Sequence, residues 1–306
     1  MIIPVNALES YKDQYKIVIL GGSGQLGSEL KKIDDNNYFL FFPNRNDLDL
    51  RSEHEISNFF NNNEFDLIIN LAAYTDVDKA EIEKEEALLL NHTVPRILAQ
   101  ETNKSNIGLI HISTDYVFGN KSLGPFDIDS QKDPINHYGL SKSLGEDDVL
   151  QFNNKSMVIR MASVFSIYGK NFVKTIMNYM KEKNQLEVVS DQLISVTSAY
   201  DFSNNLISLV DLYRSQINKP FDRIMHFTNK EFTSWYQMAE FILKEMNKNG
   251  KIVDCELKPI ELSKWEAEAK RPIDSRLSVD FSFMEKNDIF IPHWKESLKE
   301  TVKKLL

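Results

Sequence analysis

Residues 16–27 read KIVILGGSGQLG. Lys16–Leu20 is a short β-branched apolar run, which predicts a strand. A glycine-rich turn follows at once, and Gln25–Lys32 then places its apolar residues at helical spacing. Glycine permits a tight turn and close approach of backbone to a ligand. A helix starting there points its free N–H groups and positive dipole end forward, where a pyrophosphate can sit. Two registers fit: Gly22/Gly24/Gly27 as G-x-G-x-x-G, and Gly21/Gly24/Gly27 at a wider spacing. A tight turn with no ligand is the bland alternative. The position at the first strand–helix junction favours a dinucleotide, with Gly21, Gly24, Gln25, Leu26 and Gly27 against it.

Outward from the turn, strands and helices alternate. Strands are predicted at Tyr38–Phe42, Leu67–Asn70, Leu109–Ser113 and Met157–Arg160. Helices are predicted around Ile56–Asn61 and at Ala87–Thr102 and Tyr138–Phe152. The strands are continuous apolar runs, so both faces should be buried. That pattern predicts an α/β fold, a doubly wound parallel Rossmann sheet with right-handed crossovers. The second half is less regular. Helices are predicted at Phe172–Lys183, Ser198–Arg214 and Thr233–Lys248 (capped by Thr233), strands at Leu186–Val189 and Ile224–Phe227, and Trp294–Leu305 closes the chain. We expect a flexible tail over 1–14 and a dinucleotide-binding domain over 15–168 that also receives about 190–228. Residues 169–306 are then mainly a smaller, interleaved substrate-binding region.

The chain has 306 residues, enough for a core that needs no disulfide or metal staple. Its one cysteine, Cys255, excludes an intrachain disulfide, and a reducing, cytosolic compartment is expected. MIIPVNALES at the start has too short an apolar run for a signal peptide. No stretch approaches the roughly 20 apolar residues of a membrane span, so no membrane partner is expected. A net charge of −9 argues against nucleic acid and leaves room for a small anionic ligand.

After the second strand the chain reads Phe42-Pro43-Asn44-Arg45. No acid stands where a ribose 2′-hydroxyl would be bound, and Arg45 could meet a 2′-phosphate. NADPH is therefore expected, with NADH left open. The alternative is that Arg45 is a solvated loop charge. Asp47 and Asp49 follow and could serve the ribose or adenine; Asp49 and Leu50 complete the expected cofactor contacts on that side.

Tyr138 and Lys142 stand four apart, on one face of a helix. A phenol with pKa near ~10 is a poor base, and a nearby ammonium favours its ionised form. Such a pair can pass a proton to or from a carbonyl oxygen during hydride transfer, with Lys142 also holding the nicotinamide ribose. Alone the spacing would fit a solvated helix face. Thr114, just past the fourth strand, supports the catalytic reading, because ligands bind at that edge. Thr114, or Ser113 beside it, could polarise the substrate oxygen.

These residues resemble the extended short-chain dehydrogenase/reductase family and, more narrowly, the dTDP-4-dehydrorhamnose reductases. The matching pieces are GGSGQLGSEL at 21–30, NLAAYTDVDKAE at 70–81, STDYVFG at 113–119 and INHYGLSKSLGE at 135–146. Weaker matches are NFVKTIM at 171–177, Asp191-Gln192, Arg271-Pro272 and Ser275-Arg276-Leu277. The resemblance covers nearly the whole chain after Gln14. It implies reduction of the C4 keto group of a nucleotide-linked 6-deoxyhexose, in sugar-nucleotide biosynthesis for surface polysaccharide. It makes Thr114, Tyr138 and Lys142 catalytic and places Ala72, Ala73 and Tyr74 along the cofactor. Asp115 and Tyr116 would touch the sugar, with Ser163 and Arg271 also on the substrate side. A homodimer is implied by the family alone. Related reductases can use Mg²⁺, but this sequence has no self-evident carboxylate cage, so no metal site is predicted.

Two departures fall on the substrate side. The family usually reads R-T-S-W after the fifth strand; here it is Arg160-Met161-Ala162-Ser163. Its D-Q-x-G-x-P-T becomes Asp191-Gln192-Leu193-Ile194-Ser195-Val196-Thr197. Losing an aromatic wall reshapes a pocket, which leaves the identity of the sugar and of its nucleotide open. Two other functions fit the same residues. One is an epimerase or dehydratase that retains NAD, although Asp115-Tyr116 is not the adjacent Asp-Glu pair such chemistry often uses. The other is a non-catalytic dinucleotide-binding regulatory subunit. His111 is expected to be a core histidine, His54, His92, His137, His226 and His293 show no metal-ligand spacing, and Glu29 is expected in the first turn of its helix. Trp235 and Tyr236 are expected to pack a helix.

Overall fold

Strands β1 (Tyr15–Leu20), β2 (Tyr38–Phe41), β3 (Leu67–Asn70), β4 (Gly108–Thr114) and β5 (Ser156–Met161) pair in parallel, and β10 (Ile224–His226) extends the sheet. The spatial order is β10-β5-β4-β3-β1-β2. The computed structural model describes residues 13–219, 222–251 and 253–306. The first twelve residues of the expected tail lie outside the described residues; Gln14 already donates from its side chain to the Asn36 carbonyl.

Alternate residues of each strand face opposite layers. Ile17, Ile19, Leu67, Ile69, Met157 and Ile159 pack under α1 (Gln25–Leu30) and the pair α7 (Ala199–Asn204) and α8 (Leu206–Gln216). Val18, Leu20, Ile68, Leu109 and Val158 pack under α2 (Glu53–Asn62), α4 (Val94–Lys104) and α5 (His137–Phe152). This two-sided burial is what the continuous apolar runs predicted. Each such side chain contributes about 1.5–3 kcal/mol of transfer free energy.

The third core lies in the C-terminal half. Here α6 (Phe172–Glu182), α9 (Trp235–Lys248) and α11 (Trp294–Leu305) enclose a parallel pair, β7 (Gln185–Val189) with β12 (Glu256–Ile260). Short strands β6 (Val164–Phe165) and β9 (Thr197–Ser198) pair with each other, as do β8 (Leu193–Ile194) and β11 (Thr233–Ser234). A last short helix, α10 (Phe281–Lys286), returns to the first core.

Four details depart from the sequence reading. The helix expected over Ala87–Thr102 starts earlier, as α3 (Lys84–Leu88), and passes through a π turn at Leu89–Thr93 before α4. The helix expected over Ser198–Arg214 is two pieces, α7 and α8, divided at Asn205. The cap of α9 is Ser234, whose hydroxyl accepts from Gln237 N–H, and not Thr233. Glu29 is the fifth residue of α1, not in its first turn; it is buried and accepts from Lys32 and Ser166.

Candidate active site

The sheet order reverses between β1 and β3, and ligands bind beside the carboxyl ends of strands at such a point. The glycine turn leaves β1 there. Gly21 adopts φ +82, and a Cβ on it would stand 2.6 Å from the Ala72 backbone nitrogen. Only glycine suits both the left-handed conformation and that contact. Gly24 is the exposed N-cap of α1, and no side chain caps the helix. The first-turn N–H groups thus have no side-chain acceptor. Ala72, Ala73 and Tyr74 leave β3 alongside, all half-buried.

The π turn holds that segment. Asn91 is fully buried in it; its side-chain oxygen accepts from Tyr74 N–H at 2.8 Å, and its Nδ2 donates to Tyr74 O at 3.0 Å. The same Nδ2 donates to Ser141 Oγ on α5 at 3.0 Å. Gly145 lets α5 approach: a Cβ there would stand 2.0 Å from Asn91 O. One extra residue per turn swings Asn91 inward, and π turns often occur at functional sites. The sequence reading missed Asn91; an amide inside the apolar stretch LLLNHT was the available signal.

Beyond β2, Arg45 is exposed in the loop at the same edge of the sheet. Asp49 is partly committed elsewhere, because its carboxylate accepts from Arg51 N–H at 3.0 Å and shapes the turn into α2. Leu50 packs against the core under α2. Arg45 and the glycine turn therefore share one edge, whereas Asp49 serves the local turn.

Thr114 ends β4 and caps a short 3₁₀ turn over Asp115–Val117, accepting from Tyr116 N–H at 3.2 Å. Its hydroxyl donates to Asp115 Oδ1 at 3.0 Å, beside the Tyr138 phenol. Ser113, the other candidate, is buried on the strand with no hydrogen-bond partner for its hydroxyl. Asn136 caps α5 by accepting from Gly139 N–H at 2.7 Å, which sets Tyr138 in the first turn beside Thr114. Tyr138 and Tyr116 meet edge to face with centroids 5.9 Å apart.

Desolvation pushes the Tyr138 phenol up to about 12, with the neighbouring Thr114 opposing the rise and Asp115 adding to it. Lys142 is not among the groups acting on it. Its buried amino group turns elsewhere, donating to Ile112 O at 2.6 Å and lying 3.2 Å from His111 Nε2. The expected lowering of the phenol by Lys142 is thus not seen; burial wins. Burial also brings Lys142 down to about 8, opposed by the charge of Glu146. The Asp115 carboxyl is raised to about 7 by burial, opposed by Ser275 and Thr114, although neither Asp115 Oδ2 nor Ser275 Oγ makes a hydrogen bond of ordinary geometry.

Beneath these groups Arg160 of β5 grips Glu146 of α5 through two bonds of 2.9 and 2.8 Å, with both side chains buried. Past β5, Ser163 adopts φ +43, a strained value for a residue with a side chain.

A cleft of about 910 Å³ lies between the sheet edge and the C-terminal core, and Lys170, Lys183, Trp235, Trp265 and Arg271 line it. Arg271 is held by Asp78 in a two-pronged pair at 2.7 and 3.1 Å and lies near Tyr116, which follows Thr114 on the β4 edge. Gln192 accepts from Trp235 Nε1 at 2.8 Å and donates to Pro272 O at 2.7 Å, so Asp191-Gln192 braces the cleft wall. Ser163 is not among the residues lining the cleft. Among the described residues no group of His, Cys, Asp or Glu could hold a metal ion.

Residues 15–306 match the family model described as the RmlD substrate binding domain. The spore coat polysaccharide biosynthesis protein SpsK of Bacillus subtilis is 31% identical over 93% of this chain and 96% of its own length. The crystal structure of a dTDP-4-dehydrorhamnose reductase from Clostridium acetobutylicum superposes with TM-score 0.85 at 32% identity, covering 95% of this chain and 99% of that one. The dTDP-4-dehydrorhamnose reductase of Bacillus anthracis, solved in complex with NADP, gives 0.84 at 28% identity over 95% and 99%. On this fold, this edge-of-sheet arrangement and these likenesses, the chain belongs to the RmlD substrate binding domain family, that of the dTDP-4-dehydrorhamnose reductases.

Proposed function

We propose that this chain is an NADPH-dependent reductase of the C4 keto group of a nucleotide-linked 6-deoxyhexose, serving surface-polysaccharide synthesis. The observation that carries the reading is the placing of Tyr138, in the first turn of α5, beside Thr114 at the carboxyl end of β4, on the same sheet edge as the glycine turn. The residues fit a dinucleotide: a left-handed Gly21, an uncapped helix start at Gly24, and a buried Lys142 on α5. Bound NADPH supplies the hydride. Thr114 polarises the carbonyl oxygen, and Tyr138 gives it a proton as negative charge develops. A phenol held near 12 is protonated throughout the neutral range, which suits an acid in the reducing direction. Lys142 holds the ribose, and Arg45 meets the 2′-phosphate. Arg271 faces the substrate diphosphate from the cleft wall, and Asp115 and Tyr116 approach the sugar from the end of β4 beside Thr114; Ser163 lies outside that wall. Trp235 and Trp265 offer flat surfaces to the base.

Residues 15–168 with about 190–228 form the cofactor half in this reading, because α7, α8 and β10 pack on the central sheet. Residues 169–306 mainly form the substrate half, on the core of α6, α9 and α11. The reading places the chain in the cytosol as a homodimer, with no nucleic-acid or membrane partner. No helix among the described residues is long and apolar enough to cross a membrane. The described side chains do not fit a Mg²⁺ site, and no step runs through one.

The test is NADPH oxidation followed optically against a panel of 4-keto-6-deoxy nucleotide sugars. Turnover with one of them supports the reading. NADPH binding without turnover on any points instead to a regulatory subunit. Replacing Arg45 by Ser should raise the KM for NADPH by roughly tenfold to a hundredfold, the ~1.5–3 kcal/mol of a charge-assisted hydrogen bond. The KM for NADH should barely move; equal changes for both would remove Arg45 from the 2′-phosphate.

A further inference from the structure

His111 lies in the middle of β4, wholly buried, and nothing in the proposed chemistry uses it. Its two ring nitrogens have different partners. Nδ1 stands 3.1 Å from Asn70 Nδ2, and Nε2 stands 3.2 Å from Lys142 Nζ. Which nitrogen carries the proton follows from the Asn70 carboxamide. Its Oδ1 accepts the Ala72 backbone N–H at 3.1 Å, so the end facing His111 must be the NH₂ group. An NH₂ group only donates, so Nδ1 is the acceptor. The imidazole is neutral, because burial holds it well below the ordinary histidine range. A neutral ring with Nδ1 as acceptor carries its proton on Nε2. That N–H points at Lys142 Nζ.

An ammonium has three donors and no acceptor, so it cannot receive this hydrogen. A neutral amine can: one N–H goes to Ile112 O, the lone pair takes His111 Nε2–H, and one N–H remains for a ligand. We infer that the Asn70–His111 pair is a positioning device that lowers the proton affinity of Lys142 in the resting site, so that proton uptake by Lys142 accompanies ligand binding. The other charges facing Lys142 limit the effect. Glu146 favours the ammonium, but it is engaged by Arg160 at 2.8 Å and Lys132 at 3.4 Å. Tyr138 is protonated in the neutral range, and no other charge acts on Lys142. The inference rests on the proposed role of Lys142.

Two measurements test it. The first reads the ligand-free chain: ¹⁵N–¹H long-range NMR with labelled histidine, which identifies the protonated nitrogen of His111. A proton on Nε2 across the neutral range is expected; a proton on Nδ1 overturns the inference. The second is the pH dependence of NADPH affinity, read by nucleotide fluorescence. Asn70→Asp keeps the shape but turns the donor into an acceptor. The ring must then carry its proton on Nδ1 and offer Nε2 to the ammonium. The same change follows for His111→Gln, whose carbonyl accepts. Both variants should bind NADPH with an alkaline limb displaced upward by about one pH unit, a tenfold proton-affinity change. A limb that stays in place in both, with weakened binding at every pH, makes the pair merely structural and overturns the inference. Lys142→Met is the control: if it leaves NADPH affinity and its pH profile unaltered, the proposed role of Lys142 itself fails.

Discussion

Tyr138→Phe should lower kcat by about 10²–10⁴, the range supplied by one positioned acid. The mutation removes one oxygen and leaves the ring against Tyr116. NADPH affinity and melting temperature should therefore hold within narrow limits. The neighbouring Thr114 hydroxyl keeps Asp115 Oδ1 as its acceptor. Steady-state rates with a 4-keto nucleotide sugar, beside a fluorescence titration of NADPH, separate the two effects. A loss of NADPH binding equal to the loss of rate would place Tyr138 in cofactor binding and not in proton transfer.

Arg160→Leu should cost about 3–5 kcal/mol of stability, the usual result of leaving a buried charge without its partner. Glu146 has no exposed surface, and Arg160 supplies two of its hydrogen bonds. Lys132, at 3.4 Å, is too far to replace them. The double variant with Glu146→Leu should recover part of the loss, because no charge remains to desolvate. The pair also sets a pH dependence. Burial raises the Glu146 carboxyl, but the Arg160 hydrogen bond and charge outweigh it and hold it below the ordinary glutamate value. A depressed carboxylate stabilises the fold fully above its unfolded pKa, and that stability is lost as pH falls towards the native value. The wild type should therefore lose stability on acidification through that window, and the double variant less. Denaturant melts at neutral and acidic pH would read both effects; equal slopes in the two proteins would remove the pair from the acid response.

Much of the fold was legible because burial on two faces leaves a plain mark. LIIN at 67–70 was bounded to the residue, since an apolar run dominates there. Strand β12 was missed for the opposite reason. Its sequence ELKPI is half polar and contains Pro259, which cannot donate to a ladder; it survives as one strand of an isolated pair. The π turn was invisible because its extra residue per turn changes no residue type. At the site, the glycine turn, Thr114 and Tyr138 could be picked out by their place in the chain. Asn70, Asn91 and His111 could not. Each is a lone polar residue in an apolar run, and its partner is fixed only when β3, β4 and α5 pack together. The same packing explains why Lys142 sits on His111 and Ile112 and leaves the phenol, a choice no i, i+4 spacing can reveal.

The most direct measurement follows the hydride itself. NADPH dideuterated at the nicotinamide C4 is mixed with the chain and dTDP-4-dehydrorhamnose, and the sugar product is analysed by NMR and mass spectrometry. One deuterium at the sugar C4 for each NADPH oxidised is expected of a reductase that uses Tyr138 as its acid. An unlabelled sugar, or a C4 epimer formed with no net loss of NADPH, would contradict it.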